Sequence, residues 1–290
     1  MLIGMWSWRN RNKVSAAYGI CKIININIYS PMNGILTPFE SIGKFILKTT
    51  DELGSLVIYL WESILSIFRY SINFGNLIDQ MAFIGMDSFY VVGLTGLFTG
   101  MVLSLQSYYA AKIVGVTYMI GPTVALSMTR ELGPVLTALM ITARCGSSMA
   151  SEIGTMKVTE QIDALEVMAV DPYYYLSIPR ILAAMVMLPI MTILCSLIGI
   201  IGGYIVYTYF LGLNHITYVE KIYQYMKLSD IYNGLLKAVF FGIILATIST
   251  FKGFATKGGA KGVGSFTTQA VVLSSIYILF ADYILTSILF

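Results

Sequence analysis

Residues 181–210 read Ile-Leu-Ala-Ala-Met-Val-Met-Leu-Pro-Ile-Met-Thr-Ile-Leu-Cys-Ser-Leu-Ile-Gly-Ile-Ile-Gly-Gly-Tyr-Ile-Val-Tyr-Thr-Tyr-Phe, without one ionisable acid or base. About 20 apolar residues in a helix cross the ~30 Å hydrocarbon core of a bilayer, so this run alone places the chain in a membrane. Four more stretches have the same character, at about Ser88–Ala111, Gly121–Arg144, Ile231–Phe251 and Gly264–Phe290. The whole chain of 290 residues is 57% hydrophobic and only 11% charged, with a mean hydropathy of +0.77. Soluble domains carry about 25% charged residues. The expected fold is an all-α integral membrane protein with about five transmembrane helices.

The remaining composition excludes several function classes. A net charge of +3 with no basic patch argues against nucleic acid as a partner. Cys21, Cys145 and Cys195 lie far apart, and the lone His215 has no neighbour with which to build a zinc site or a nucleophile–base pair. No metal and no catalytic residue is expected. No GxxxxGK[ST] order occurs, and the glycine-rich Lys257–Gly264 stretch reads as a turn. The chain is therefore expected to be no enzyme and to carry no cofactor of its own.

Outward from the spans, residues 1–31 hold Arg9, Arg11, Lys13 and Lys22 without a signal-peptide pattern, and Met32 is a candidate start. In residues 32–86, apolar positions recur at helical spacing from Phe39 to Phe68 between Glu40, Lys44, Lys48, Glu62 and Arg69. That pattern predicts an interfacial amphipathic helix; a helix packing at a water-facing surface is the alternative. With five spans and the first segment inside, thirteen of the eighteen Lys and Arg fall on the inner side and four outside, leaving Arg130 within a span. The positive-inside rule then puts the N-terminus and the 144–180 loop in the cytoplasm and the C-terminus outside.

Two segments are chemically unusual. Between Thr159 and Val170, Glu160, Asp163 and Glu166 alternate with Ile162, Leu165 and Met168 before Asp171-Pro172. About twelve residues give ~18 Å of helix, too short to cross a bilayer, so an amphipathic helix along the cytoplasmic surface is expected. It suits a soluble partner; a solvated connector is the bland alternative. Arg130 and Glu131 stand inside the second span. A charge at that depth costs at least ~2.5–3.5 kcal/mol and faces protein or a watery cavity. Neighbours on a helix diverge by about 100°, so at least one of the two pairs with another helix or a ligand. Asp282 could pair with Lys237 or simply lie near the outer end of the last span, and no role is assigned to it.

The runs Gly100-Met-Val-Leu-Ser-Leu-Gln-Ser-Tyr108, Ala125-Leu-Ser-Met-Thr-Arg-Glu-Leu-Gly-Pro-Val135, Glu152-Ile-Gly-Thr-Met156, Thr159-Glu-Gln161 and Met168-Ala-Val-Asp-Pro172 resemble the MlaE-type permease family. Gly202-Gly-Tyr204, Lys257–Gly264 and Ala270–Ser275 extend the likeness, which covers about Met32–Phe290, with residues 87–290 as the permease domain. The resemblance implies the membrane subunit of an ABC transporter that moves phospholipid between membranes. Its implied partners are a second copy of itself, a cytoplasmic ATPase dimer that binds ATP, and a periplasmic MCE-domain protein. It implies a bacterial inner membrane, with the plastid inner envelope as the alternative. The implied lipid cavity is lined in part by Leu103, Arg130, Glu131 and Leu132. The implied coupling helix, about 152–171, would touch the ATPase through Glu152, Met156, Glu160, Gln161, Asp163, Leu165, Glu166, Met168 and Asp171. An ion-coupled secondary transporter using Arg130, Glu131 and Asp282 as a relay, and a non-transporting scaffold, are the competing readings; internal repeats expected of the former are not evident.

Overall fold

The computed structural model describes Leu47, Thr50, Asp51, residues 54–61, Ser63, Leu65 and residues 74–289. It divides into two compact units, 1–54 and 55–290. In the first, the described Leu47, Thr50, Asp51 and Gly54 are helical. Residues 1–31 and most of the expected interfacial helix lie outside the described residues.

The second unit is a bundle of helices, and among the described residues it has no strand. Among the described residues, five helices are long and apolar enough to cross a membrane: α1 (Phe74–Val114), α2 (Thr117–Val158), α4 (Tyr173–Phe210), α6 (Leu228–Phe254) and α7 (Gly259–Leu289). Two short helices join them, α3 (Gln161–Val167) after α2 and α5 (His215–Tyr225) after α4. Because the spans alternate in direction, α3 and α5 lie at opposite ends of the bundle.

The helices outrun the expected spans at their charged ends. α1 begins at Phe74 rather than Ser88 and passes through a 3-10 turn at Met86–Ser88, while α2 continues past Arg144 to Val158. The cause is pairing. Arg144 reaches across to Asp87 at 2.8 Å and donates to Ser88 Oγ at 2.9 Å and the Phe83 carbonyl at 3.2 Å, so a charge that marks a boundary when unpaired here ties two helices together.

Close packing of α1 on α4 depends on glycine. A Cβ on Gly100 would strike the Gly199 carbonyl, and one on Gly96 would lie 2.6 Å from the Cys195 carbonyl. Gly202 faces the Leu97 carbonyl in the same way, at 2.5 Å. Lipid tails are as apolar as Leu, so helices in a membrane gain mainly from such backbone approach. At the α5 end, Tyr218 is fully buried; its hydroxyl donates to the Ile200 carbonyl at 3.1 Å and its ring meets those of Tyr204 and Tyr207. Burial raises its phenol above the ordinary range, so it stays a neutral donor. At the α3 end, Tyr59 is buried against Tyr173 and Phe251, and its hydroxyl shares a 2.6 Å hydrogen bond with Ser177.

Replacing Gly100 by Leu forces α1 off α4, where the opposing atoms are backbone and cannot rotate away. The expected loss is at least about 1–3 kcal/mol, read as a lower thermal midpoint and loss of a monodisperse peak in detergent. Gly264→Ala, where a Cβ meets open space, should leave both unchanged.

Candidate functional site

Inside α2 the residues Met128–Leu132 form a π-helical turn. Such a turn shifts hydrogen bonding from i−4 to i−5 and is frequent at functional sites. Its carbonyls take side-chain donors from neighbouring helices: Ser196 Oγ donates to the Met128 carbonyl at 3.1 Å, and Lys237 Nζ to the Arg130 carbonyl at 3.2 Å. The π turn thus presents Arg130 and Glu131 to separate partners.

Arg130 pairs with Asp230 in the first turn of α6, through Nη2 at 2.6 Å and Nε at 3.0 Å on the same Oδ1. The second oxygen, Oδ2, accepts from the Lys227 backbone N–H at 2.9 Å. Asp230 is thereby buried, while the Arg130 side chain keeps 38% of its surface uncovered. Glu131 pairs with Lys237 of α6 at 2.9 Å, and Lys237 also meets Asp282 of α7 at 3.1 Å and Thr286 Oγ1 at 2.7 Å. The Lys237 side chain has 0% exposure. Two cations and three carboxylates from α2, α6 and α7 therefore form one cluster within the spans. Of the two alternatives open for Asp282, the pairing with Lys237 is the one present. Asp230 and Thr286 escaped the sequence reading; an uncompensated Arg130 in one span, with an acid at the mouth of another, was the available signal for Asp230.

The four expected cavity residues lie on α1 and α2. Arg130 and Glu131 share the cluster, Leu132 is half-buried beside them in sequence, and Leu103 is half-buried on α1. A neighbouring apolar pocket opens between α2, α4 and α6, lined by Thr129, Thr192, Ile193, Ser196, Met226 and Leu235 among others, and holds none of the four.

At the far end of α2, the segment expected as one helix over about 152–171 is broken. Glu152 and Met156 belong to the last turns of α2, and the chain turns at Glu160, whose φ is 60°, before α3. Ile162 anchors α3 in a small core with Ile153 and Leu176, onto which Met156 and Leu165 pack. Three of the expected contact acids hold this corner together. Glu152 pairs with buried Arg180 at 2.8 Å, Asp163 with Lys157 at 2.7 Å, and Asp171 Oδ1 accepts from the Tyr173 N–H at 3.0 Å. Glu160, Gln161, Glu166 and Met168 are exposed, as is Val167. α3 ends with Ala169 at φ 59°, where the Ala169 N–H bonds to the Glu166 carbonyl and the Val170 N–H to that of Leu165. Glycine normally occupies that place in this motif.

Lys237→Met should strand Glu131 and Asp282 and lower stability by about 3–5 kcal/mol. Adding Glu131→Gln and Asp282→Asn should recover much of that loss; thermal unfolding of the purified chain reads both. Ala169→Gly removes a left-handed alanine and should raise the midpoint by the equivalent of roughly 1 kcal/mol.

A family described as "Permease MlaE" matches residues 77–288. The chain is 43% identical over 256 residues to a "Probable ABC transporter permease protein" of Rickettsia bellii, covering 88% of this chain and 99% of that one. It is 37% identical over 257 residues to the "Intermembrane phospholipid transport system permease protein MlaE" of Haemophilus influenzae, covering 88% and 98%. It is 35% identical over 236 residues to the "Protein TRIGALACTOSYLDIACYLGLYCEROL 1, chloroplastic" of Arabidopsis thaliana, covering 81% and 67%. Five membrane-spanning helices around an intramembrane charge cluster, matched over nearly their whole extent by such relatives, make this chain a member of the MlaE permease family, the membrane subunit of an ABC-type transporter rather than an enzyme.

Proposed function

We propose that the chain moves phospholipid, as the permease of a transporter whose ATP is bound and hydrolysed by separate cytoplasmic subunits. The observation that carries this reading is Arg130. Its side chain is held inside the spans by Asp230 yet keeps 38% of its surface exposed, and a guanidinium at that depth would make a charge-assisted contact to a lipid phosphate. The phospholipid permease of Haemophilus influenzae, matched over 98% of its length, supports the same cargo.

Mechanical coupling follows from continuity. α2 carries Arg130 about a third of the way along and, through the Thr159–Glu160 turn, α3 at its far end. From Arg130 to Val158 is about 42 Å of helix at 1.5 Å per residue. A push on the exposed Glu160, Glu166 and Met168 by a closing ATPase dimer would travel along α2 to the cluster. Two copies of the chain, enclosing the lipid between them, would cover the bare Val272, Ile276, Leu279 and Tyr283 stripe of α7. An MCE-domain protein would receive or supply lipid at the α5 end. The inner membrane, with α3 in the cytoplasm, fits the distribution of Lys and Arg.

Purification of the tagged chain from its own cells in mild detergent should bring down an ABC ATPase, an MCE protein and phospholipid. Glu160→Lys with Glu166→Lys should lose the ATPase while the bundle stays folded, since both acids are exposed and neither side chain has a partner among the described residues. Arg130→Gln should reduce ATP-driven lipid transfer about thirtyfold, the equivalent of about 2 kcal/mol for a hydrogen bond to a charged group. Recovery of the chain without an ATPase in several detergents, with transfer following an ion gradient, would overturn this reading in favour of the ion-coupled one.

A further inference from the structure

α5 has three faces rather than two. Tyr218 points into the bundle, fully buried, with Ile222 partly buried on the same side. A second face carries Ile216, Val219 and Tyr223 at helical spacing i, i+3 and i+7, all uncovered, Tyr223 to 90%. The third is polar, with Glu220, Gln224 and Lys221, whose Nζ donates to Gln224 Oε1 at 2.7 Å. A helix in bulk water beside a bundle needs only the first and third of these faces. An apolar sector between a packed face and a polar face is the pattern of a helix lying in the membrane interface.

Chain length and neighbours select the same occupant. Only residues 211–214 separate α5 from the end of α4, and only Met226 and Lys227 separate it from the start of α6. Asn214 caps α5 by accepting from the Ile216 N–H at 3.0 Å, and Tyr218 pins the helix where a Cβ on Gly203 would stand 2.9 Å from its hydroxyl. The helix cannot rise away from the ends of the two spans. The adjoining ends of the two spans are bare and apolar as well, with uncovered Tyr209 and Phe210 on α4 and Leu228 and Tyr232 on α6. Tyr at that level suits a headgroup boundary.

We infer that α5 is an interfacial helix of the leaflet opposite α3, with Ile216, Val219 and Tyr223 immersed in lipid and Glu220 and Gln224 facing water. The helix is wired to the charge cluster: two residues beyond its end, the Lys227 N–H holds Asp230, the partner of Arg130. A lipid surface bearing on α5 therefore bears on the mouth of that site. The inference rests on the membrane-spanning fold and not on the nature of the cargo, so it stands or falls separately from the phospholipid reading.

The test uses the full chain in vesicles of phosphatidylethanolamine and phosphatidylglycerol. Nitroxide is attached in turn at Val219→Cys, Tyr223→Cys, Glu220→Cys and Gln224→Cys, with the labelled parent as background. These positions are exposed, so the substitutions leave the packed face intact. The expected result is a ratio of oxygen to water-soluble nickel-chelate collisions several-fold higher at 219 and 223 than at 220 and 224. Equal nickel access at 223 and 220 would put the stripe in water and overturn the inference. Shielding of 219 and 223 from both reagents would assign the stripe to a protein partner or a second copy, and would overturn it equally.

Discussion

An ammonium group with no exposed surface, deep in helices that cross a membrane, is tolerable only where every side of it is answered. Lys237 meets that condition through Glu131 on α2 and Asp282 and Thr286 on α7. A neutral core of the same volume would be as stable or more so. The charges therefore specify an arrangement rather than add stability: α2, α6 and α7 have few alternative registers in which Lys237, Glu131 and Asp282 all find partners. The Arg130 carbonyl belongs to the same constraint: Pro134, four residues on, has no N–H to give it, and Lys237 donates instead, while Arg130 itself meets Asp230.

Such a cluster needs helices that approach closely, and the glycines supply the approach. Where Gly234 of α6 passes α2, a Cβ would strike the Thr129 carbonyl, one residue from Arg130. Where Gly242 passes α4, a Cβ would lie 2.7 Å from the Ala184 carbonyl. α6 is thus held at backbone distance on both sides of Lys237, which is why a long side chain can be fully enclosed. Small residues and charged ones are two halves of a single design: the first remove the space that water would need, and the second fill what is left with mutually satisfying groups.

The five spans were legible because hydropathy over ~20 residues is a sum that a few exceptions do not disturb. Their ends are not, because Asp87 and Arg144 bound apolar runs in the sequence and yet are partners across a helix pair. Partnership over 57 positions leaves no local trace. The same blindness hid Asp230, which looks like an ordinary acid at a helix start until Arg130 is placed beside it. In the α3 corner the acidic spacing was visible, but the division of labour was not: Asp163 and Glu152 look as available as Glu160 and Glu166 in sequence, yet the first two are spent on Lys157 and Arg180.

The left-handed residues that bracket α3 sharpen this point. Glu160 and Ala169 both hold positive φ without being glycine, at a cost of roughly 1–2 kcal/mol per residue. Strain of that kind persists only where the surroundings over-determine it, and here they do: Ile162 is anchored in the corner core and Lys157 braces Asp163. Glycine at both places would relax the backbone but leave two hinges beside a seven-residue helix. If α3 passes a displacement into α2, as proposed, it must move as part of α2, and side chains at both turns restrict its swivelling. Under the proposed coupling, the strain at the tip and the enclosed Lys237 in the bundle would serve one mechanical requirement, a stiff path between α3 and the charge cluster.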